Sequence, residues 1–176
     1  MQQLNDIDFS EESEDDFEDC ISIKRQRRTV LTEENMRKYL SEETEKLNLE
    51  HHYWLKDSFL SKLGKLAPNL KELSLKRLHI SNDSFKDLVH YLKKLQKLDI
   101  TECPLIEESG MLHLFEKCGE TLKELVASNC QDAITDNTLK ALTEIKDEEE
   151  EAPVRILSLL DISFCKRVTD DGLAHF

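Results

Sequence analysis

His51 and His52 are the first side chains whose types suggest chemistry. Adjacent imidazoles could start a metal site, but a ligand set needs further His, Cys or acidic groups converging on them. None stands at such a spacing. The chain holds five cysteines and six histidines, and the cysteines lack the paired spacing of a metal knuckle. His113 and Cys118 are five residues apart, so on a helix they diverge rather than pair as base and nucleophile. The four glycines form no phosphate-cradling loop, and no Gly-x-Ser-x-Gly elbow occurs. The carboxylates show no recognisable pairing and read as solvated faces. No catalytic residue, cofactor site or metal site is expected, and the chain does not read as an enzyme.

Three of the cysteines point elsewhere. Cys103, Cys130 and Cys165 occupy one position in a recurring pattern, which reads as a small buried side chain in a reducing compartment. The pattern itself is plainest at Leu122 to Leu142, LKELVASNCQDAITDNTLKAL. Leu47, Leu73, Leu98 and Leu125 recur at a period of roughly 25–27 residues, and Leu160 follows after a wider step. Leu95, Leu98, Ile100, Cys103 and Ile106 match Leu157, Leu160, Ile162, Cys165 and Val168. Leu70, Leu73, Leu75, Leu78 and Ile80 form a version with Leu in place of Cys.

In Leu-x-Leu the apolar side chains point to one face of a strand and the residue between them to the other. Leucines three apart further on make one face of a helix. Such a unit cannot bury its apolar face alone, so neighbours must stack. Ser81, Thr135 and Thr169 stand where an N-cap hydroxyl would accept a free backbone N–H. Asp136 and Asp170 follow in the first turn, where the helix dipole favours an acid.

Cys130-Gln-Asp-Ala-Ile-Thr-Asp and Cys165-Lys-Arg-Val-Thr-Asp-Asp-Gly-Leu resemble the cysteine-containing class of leucine-rich repeat. They look like the repeats of F-box/LRR proteins, the substrate receptors of cullin-RING ubiquitin ligases, and of antagonist-of-mitotic-exit-type proteins. The resemblance covers residues 47–176 and, more weakly, 21–46. It departs in one respect. An F-box usually opens with Leu-Pro, yet the first proline is Pro68, already inside the repeats.

Charge is uneven. The net charge is −13, and residues 1–20 hold nine acids with no Lys or Arg. Asp147 to Glu151 is wholly acidic, Lys24-Arg25-Gln26-Arg27-Arg28 is basic, and the remainder is near neutral. This balance speaks against general nucleic-acid affinity. No apolar run has the roughly 18 residues of a membrane span, and the acidic N-terminus lacks a signal-peptide core. The expected location is cytoplasmic and/or nuclear. Residues 1–19 read as an acidic disordered tail, in which Ser13-Glu14-Asp15-Asp16 would suit an acid-directed kinase. Residues 20–46 read as a divergent first repeat or N-terminal cap, with a strand at Ile21-Ser22-Ile23, Thr32 as N-cap and a helix over Glu33–Glu45. The basic run within them also fits an import signal. Residues 143–155 read as an acidic loop inserted between repeats.

The expected fold is an α/β leucine-rich repeat solenoid: a curved parallel sheet lined by short helices, with five clear repeats and a divergent first one. Its last repeat stops at Phe176 without a polar cap, so the chain is expected to be a piece of a longer repeat protein or to be covered there by another chain. The expected function is protein recognition on the concave face, by the residues between and beside the strand leucines. These are Lys46, Asn48, Glu50, Glu72, Ser74, Lys76, Lys97, Asp99, Thr101, Glu124, Val126, Ser128, Asp161 and Ser163. The resemblance implies substrate recognition for a ubiquitin ligase, its adaptor engaged through a segment lying elsewhere. The alternative is a structural scaffold in a cytoskeletal or ciliary assembly.

Overall fold

A computed structural model describes residues 40–50, 52–53, 55–144 and 157–176, and the backbone of residues 6–8. Among them are six strands: β1 Asp6–Asp8, β2 Lys46–Asn48, β3 Glu72–Ser74, β4 Lys97–Asp99, β5 Glu124–Val126 and β6 Leu159–Asp161. Five helices follow strands β2 to β6 in turn: α1 Asp57–Leu66, α2 Asn82–Val89, α3 Glu108–Cys118, α4 Asp136–Thr143 and α5 Asp170–Leu173. The strands form one open sheet in sequence order, every pair parallel. Each helix packs on the next, α1 on α2 through α4 on α5. The arrangement is compatible with a solenoid.

Register follows the leucine spacing. Leu47, Leu73, Leu98, Leu125 and Leu160 stand opposite one another across β2 to β6. The first four are buried and Leu160 is half-buried. Behind them lie Leu49, Leu75, Ile100 and Ala127, then Leu78, Cys103, Cys130 and Cys165. The sheet is bonded beyond its short strands. The Lys71 carbonyl accepts the N–H groups of Gln96 and Lys97, and the Gln96 carbonyl those of Lys123 and Glu124, at 2.7 to 2.9 Å.

The cysteines close the gap between units. Cys103 Sγ donates to the Leu75 carbonyl at 3.0 Å, Cys130 Sγ to Ile100 at 2.9 Å and Cys165 Sγ to Ala127 at 3.2 Å. Each thiol reaches one unit back to a buried carbonyl just past a strand, and at Leu75 and Ile100 it adds to the Leu78 and Cys103 N–H groups that those carbonyls also accept.

The helix starts match the sequence. Ser81, Thr135 and Thr169 each accept an N–H of their helix's first turn, from Ser84, Thr138 and Asp171. α1 ends before Pro68, whose ring disfavours helix at the preceding residue. One backbone device left no trace in the sequence. Arg77, Glu102, Asn129 and Phe164, one after each of β3 to β6, all have φ near +60°. There the chain leaves the strand, and the N–H groups of the first three donate to the next unit at Thr101, Ser128 and Ser163.

Asp6–Asp8, inside the stretch read as a tail, pairs in parallel with β2, and Ile21–Ile23 lie outside the described residues. Its Asp-Ile-Asp pattern repeats the polar–apolar–polar pattern of Lys46-Leu47-Asn48. Residues 40–45 are a turn rather than the end of a helix. Thr44 Oγ1 accepts the Ser41 N–H at 3.0 Å and the Thr44 N–H donates back to the Ser41 carbonyl at 3.0 Å, which bends the backbone out of helical geometry. The rest of the tail, Cys20, the 24–28 basic run, Thr32, Glu33 to Tyr39 and the acidic insertion beyond Glu144 lie outside the described residues. Among the described residues no helix is long and apolar enough to cross a membrane.

Candidate functional site on the open face of the sheet

The side chains flanking the leucine column come together on the face of the sheet. Lys46, Asn48, Glu72, Ser74, Lys97, Asp99, Glu124 and Val126 line one open groove of about 450 Å³, with Leu47, Leu73 and Leu98 in its floor. Of the other expected residues, Asp161 and Ser163 border a separate depression with Phe164 and Leu173. Glu50, Lys76, Thr101 and Ser128 lie just past the strands, in the turns that continue the rows.

Register turns the groove into a charge pattern. One row across the strands reads Lys46, Glu72, Lys97, Glu124. Lys46 pairs with Glu72 at 3.6 Å and Lys97 with Glu124 at 3.0 Å. The Glu124 carboxylate, hydrogen-bonded to Lys97, raises that lysine's pKa. Past the strands Lys76 pairs with Glu50 at 2.9 Å and Arg77 with Glu102 at 3.1 Å. Water-exposed pairs of this kind are weak and screened by salt. A partner can therefore open them and take either member, so the row offers donors and acceptors alternately.

The polar row beside it has two duties. Asn48 Oδ1 accepts the Glu50 N–H at 2.9 Å, Asp99 Oδ1 the Thr101 N–H at 2.8 Å and Asp161 Oδ1 the Ser163 N–H at 2.9 Å. These side chains hold the turn that follows each strand. The Ser163 hydroxyl at 2.6 Å is the main reason that the Asp161 carboxyl sits below its ordinary value. Asp99 and Asp161 thus carry structure as well as surface, which the sequence reading did not separate. That reading also passed over Arg77 and Glu102 at the rim. An Arg and a Glu in equivalent positions are visible in the sequence only once the register is known.

The residues first weighed for chemistry lie apart. His52 is buried, its Nδ1 2.9 Å from the Glu50 carbonyl; His51 lies outside the described residues. His113 stacks on His90, ring centres 6.0 Å apart, and faces Glu116 at 3.5 Å. Cys118 is buried and its Sγ donates to the Leu92 carbonyl at 3.2 Å. Burial pushes the Cys118 thiol up to about 12, which disfavours the nucleophilic thiolate. Among the described residues no three His, Cys, Asp or Glu side chains gather as metal ligands would.

No known protein family's pattern matches the sequence, and no curated protein does. Among solved structures the chain is similar to one in the crystal structure of the Rad7 and Elc1 complex in yeast. The two are 14% identical with a TM-score of 0.42, over 80% of this chain and 48% of that one. This chain thus aligns with about half the length of that one.

Proposed function

We propose that the chain is a leucine-rich repeat module that recognises a partner protein across the open face of its sheet, without an enzymatic activity of its own. One observation carries this reading: the polar side chains of four consecutive strands stand in register, with alternating charge, over an unbroken buried leucine column. A core needs only the leucines. The ordered polar row above them is a surface that matches a polar partner, by pairing with donors and acceptors at strand spacing, about 4.8 Å apart. The resemblance of the Cys130 and Cys165 units to F-box/LRR repeats supports the narrower reading, substrate recognition for a ubiquitin ligase.

The test exchanges one pair of charges. Lys97→Glu with Glu124→Lys keeps an ion pair but reverses the pattern. Proteins captured by the full chain and lost by the exchanged chain define the partners of this face, while Tm should stay within roughly 2 °C. Undiminished capture of every partner would move the site elsewhere. A cullin adaptor or ligase subunit among the partners would support the narrower reading.

A further inference from the structure

The charges that line the groove stand mainly in one row. Lys46, Glu72, Lys97 and Glu124 lie side by side across β2 to β5 and alternate in sign. The row ends at β6, where Leu159 stands opposite Glu124. The parallel row, Asn48, Ser74, Asp99 and Val126, holds a single charge. Between the two rows the floor leucines Leu47, Leu73 and Leu98 are only 1 to 3% exposed. What a partner meets is therefore a single line of alternating charge.

A partner that reads this line must present its own charges at the same pitch. Adjacent strands are about 4.8 Å apart, so the four charges span about 14 Å. Residues i, i+3, i+7 and i+10 share one face of an α-helix and span about 15 Å. Side chains on one face of an extended segment recur about every 6.8 Å, so four of them span about 20 Å and fall out of step. A second sheet has the right pitch, but sheets pack through broad apolar faces, and here only Val126 in either row is apolar. A single line of charge matches the ridge of one helix.

We propose that the groove takes an α-helix lying across the strands, with an acid at i facing Lys46, a base at i+3 facing Glu72, an acid at i+7 facing Lys97 and a base at i+10 facing Glu124. This rests on the open face being the recognition surface, and adds the form and charge order of its partner. The pairs already present in the row, Lys46–Glu72 at 3.6 Å and Lys97–Glu124 at 3.0 Å, need not break. The helix sets a second opposite charge against each member, and its own acids and bases three or four apart support one another.

The test uses the full chain and two fluorescent, alanine-based peptides of sixteen residues and identical composition. The alternating peptide has Glu at its third and tenth positions and Lys at its sixth and thirteenth. The palindromic peptide has Glu at the third and thirteenth and Lys at the sixth and tenth, which sets like charges against Lys97 and Glu124. By anisotropy at low salt the unmodified chain should bind the alternating peptide at least about threefold more tightly, and the preference should fade as salt rises. The exchanged chain, Lys97→Glu with Glu124→Lys, should prefer the palindromic peptide instead. Transferred nuclear Overhauser effects should show the bound alternating peptide as a helix. Equal binding of the two peptides by the unmodified chain, binding of neither, or an extended bound form overturns the proposal, and these arms need no variant. If the charge exchange abolishes capture of partner proteins but the peptide preference does not reverse, the face remains the recognition surface and the helical partner is ruled out. If neither changes, both readings fall.

Discussion

The carboxylate of Asp136 accepts both the backbone N–H and the hydroxyl of Thr169, at 2.8 and 2.6 Å. Asp136 is the first residue of α4, and Thr169 caps α5. The relation recurs along the chain. Asp57 accepts the Ser81 N–H at 2.9 Å, Asn82 the Glu107 N–H at 3.1 Å and Glu108 the Thr135 hydroxyl at 2.5 Å. Each helix therefore braces the start of the next with its own first residue. At Asp57, Glu108 and Asp136 a single acid serves the dipole of its own helix and the start of its neighbour, while Asn82 braces with a neutral amide oxygen.

This relation sets a pH dependence. The Thr169 hydroxyl, and after it the Thr169 N–H, hold the Asp136 carboxyl below its ordinary value of 3.8; Ser163 does the same for Asp161. A carboxyl depressed in the folded state contributes stability that is full above its unfolded value and lost as pH falls through its folded value. Tm should thus drop as pH falls below about 4. The drop should be shallower when Asp136→Asn and Asp161→Asn are combined, and hydrogen exchange at residues 169–173 should quicken. Parallel Tm–pH curves for the two proteins would count against these bonds.

The thiols should be slow. Burial pushes Cys103 up to about 12 and Cys130 up to about 11. At pH 8 roughly one Cys103 in ten thousand is then a thiolate, the reactive form. Cys165, also raised by burial, lies in the last unit and should label first of the three. Intact-mass analysis with a thiol reagent, with and without denaturant, checks the order. Rapid labelling of all three in the native protein would show that the units open.

Thr138 is fully buried, and its Oγ1 both accepts the Thr135 N–H and donates to the Thr135 carbonyl at 2.7 Å. Thr138→Val keeps the shape and strands that N–H, at a cost of about 1–3 kcal/mol. Thr135→Ala removes the cap oxygen and should cost about 1 kcal/mol. The two losses should not add, because both belong to one capping box. Urea denaturation of the two single variants and the double variant measures this. Full additivity would mean that the box is not a unit.

Phe164 has φ of 62° and is 79% exposed. A bulky residue is unfavourable in that region by about 1–2 kcal/mol, whereas Asn visits it readily, as Asn129 does at the equivalent position. Phe164→Asn should raise stability by up to about 1 kcal/mol, since little burial is given up. A lower Tm would show that the exposed ring contributes packing.

Much of the fold was legible because it is periodic. The leucine spacing predicts a parallel stack in which Leu47, Leu73, Leu98 and Leu125 face one another, and they do. Burial of Cys103, Cys130 and Cys165 follows from their shared position, and the caps at Ser81, Thr135 and Thr169 from residue type next to an apolar period. These are local properties, repeated until chance is excluded. What only the tertiary structure decided lies between units. The Lys97–Glu124 pair, the Asp136–Thr169 brace and the four left-handed residues depend on groups more than 20 positions apart, or on the backbone path that joins them. Arg, Glu, Asn and Phe share no sequence signal for positive φ; the bend from strand to loop imposes it on whichever residue stands there. The pairing of Asp6–Asp8 with β2 likewise joins residues far apart in the chain, which no local pattern signals.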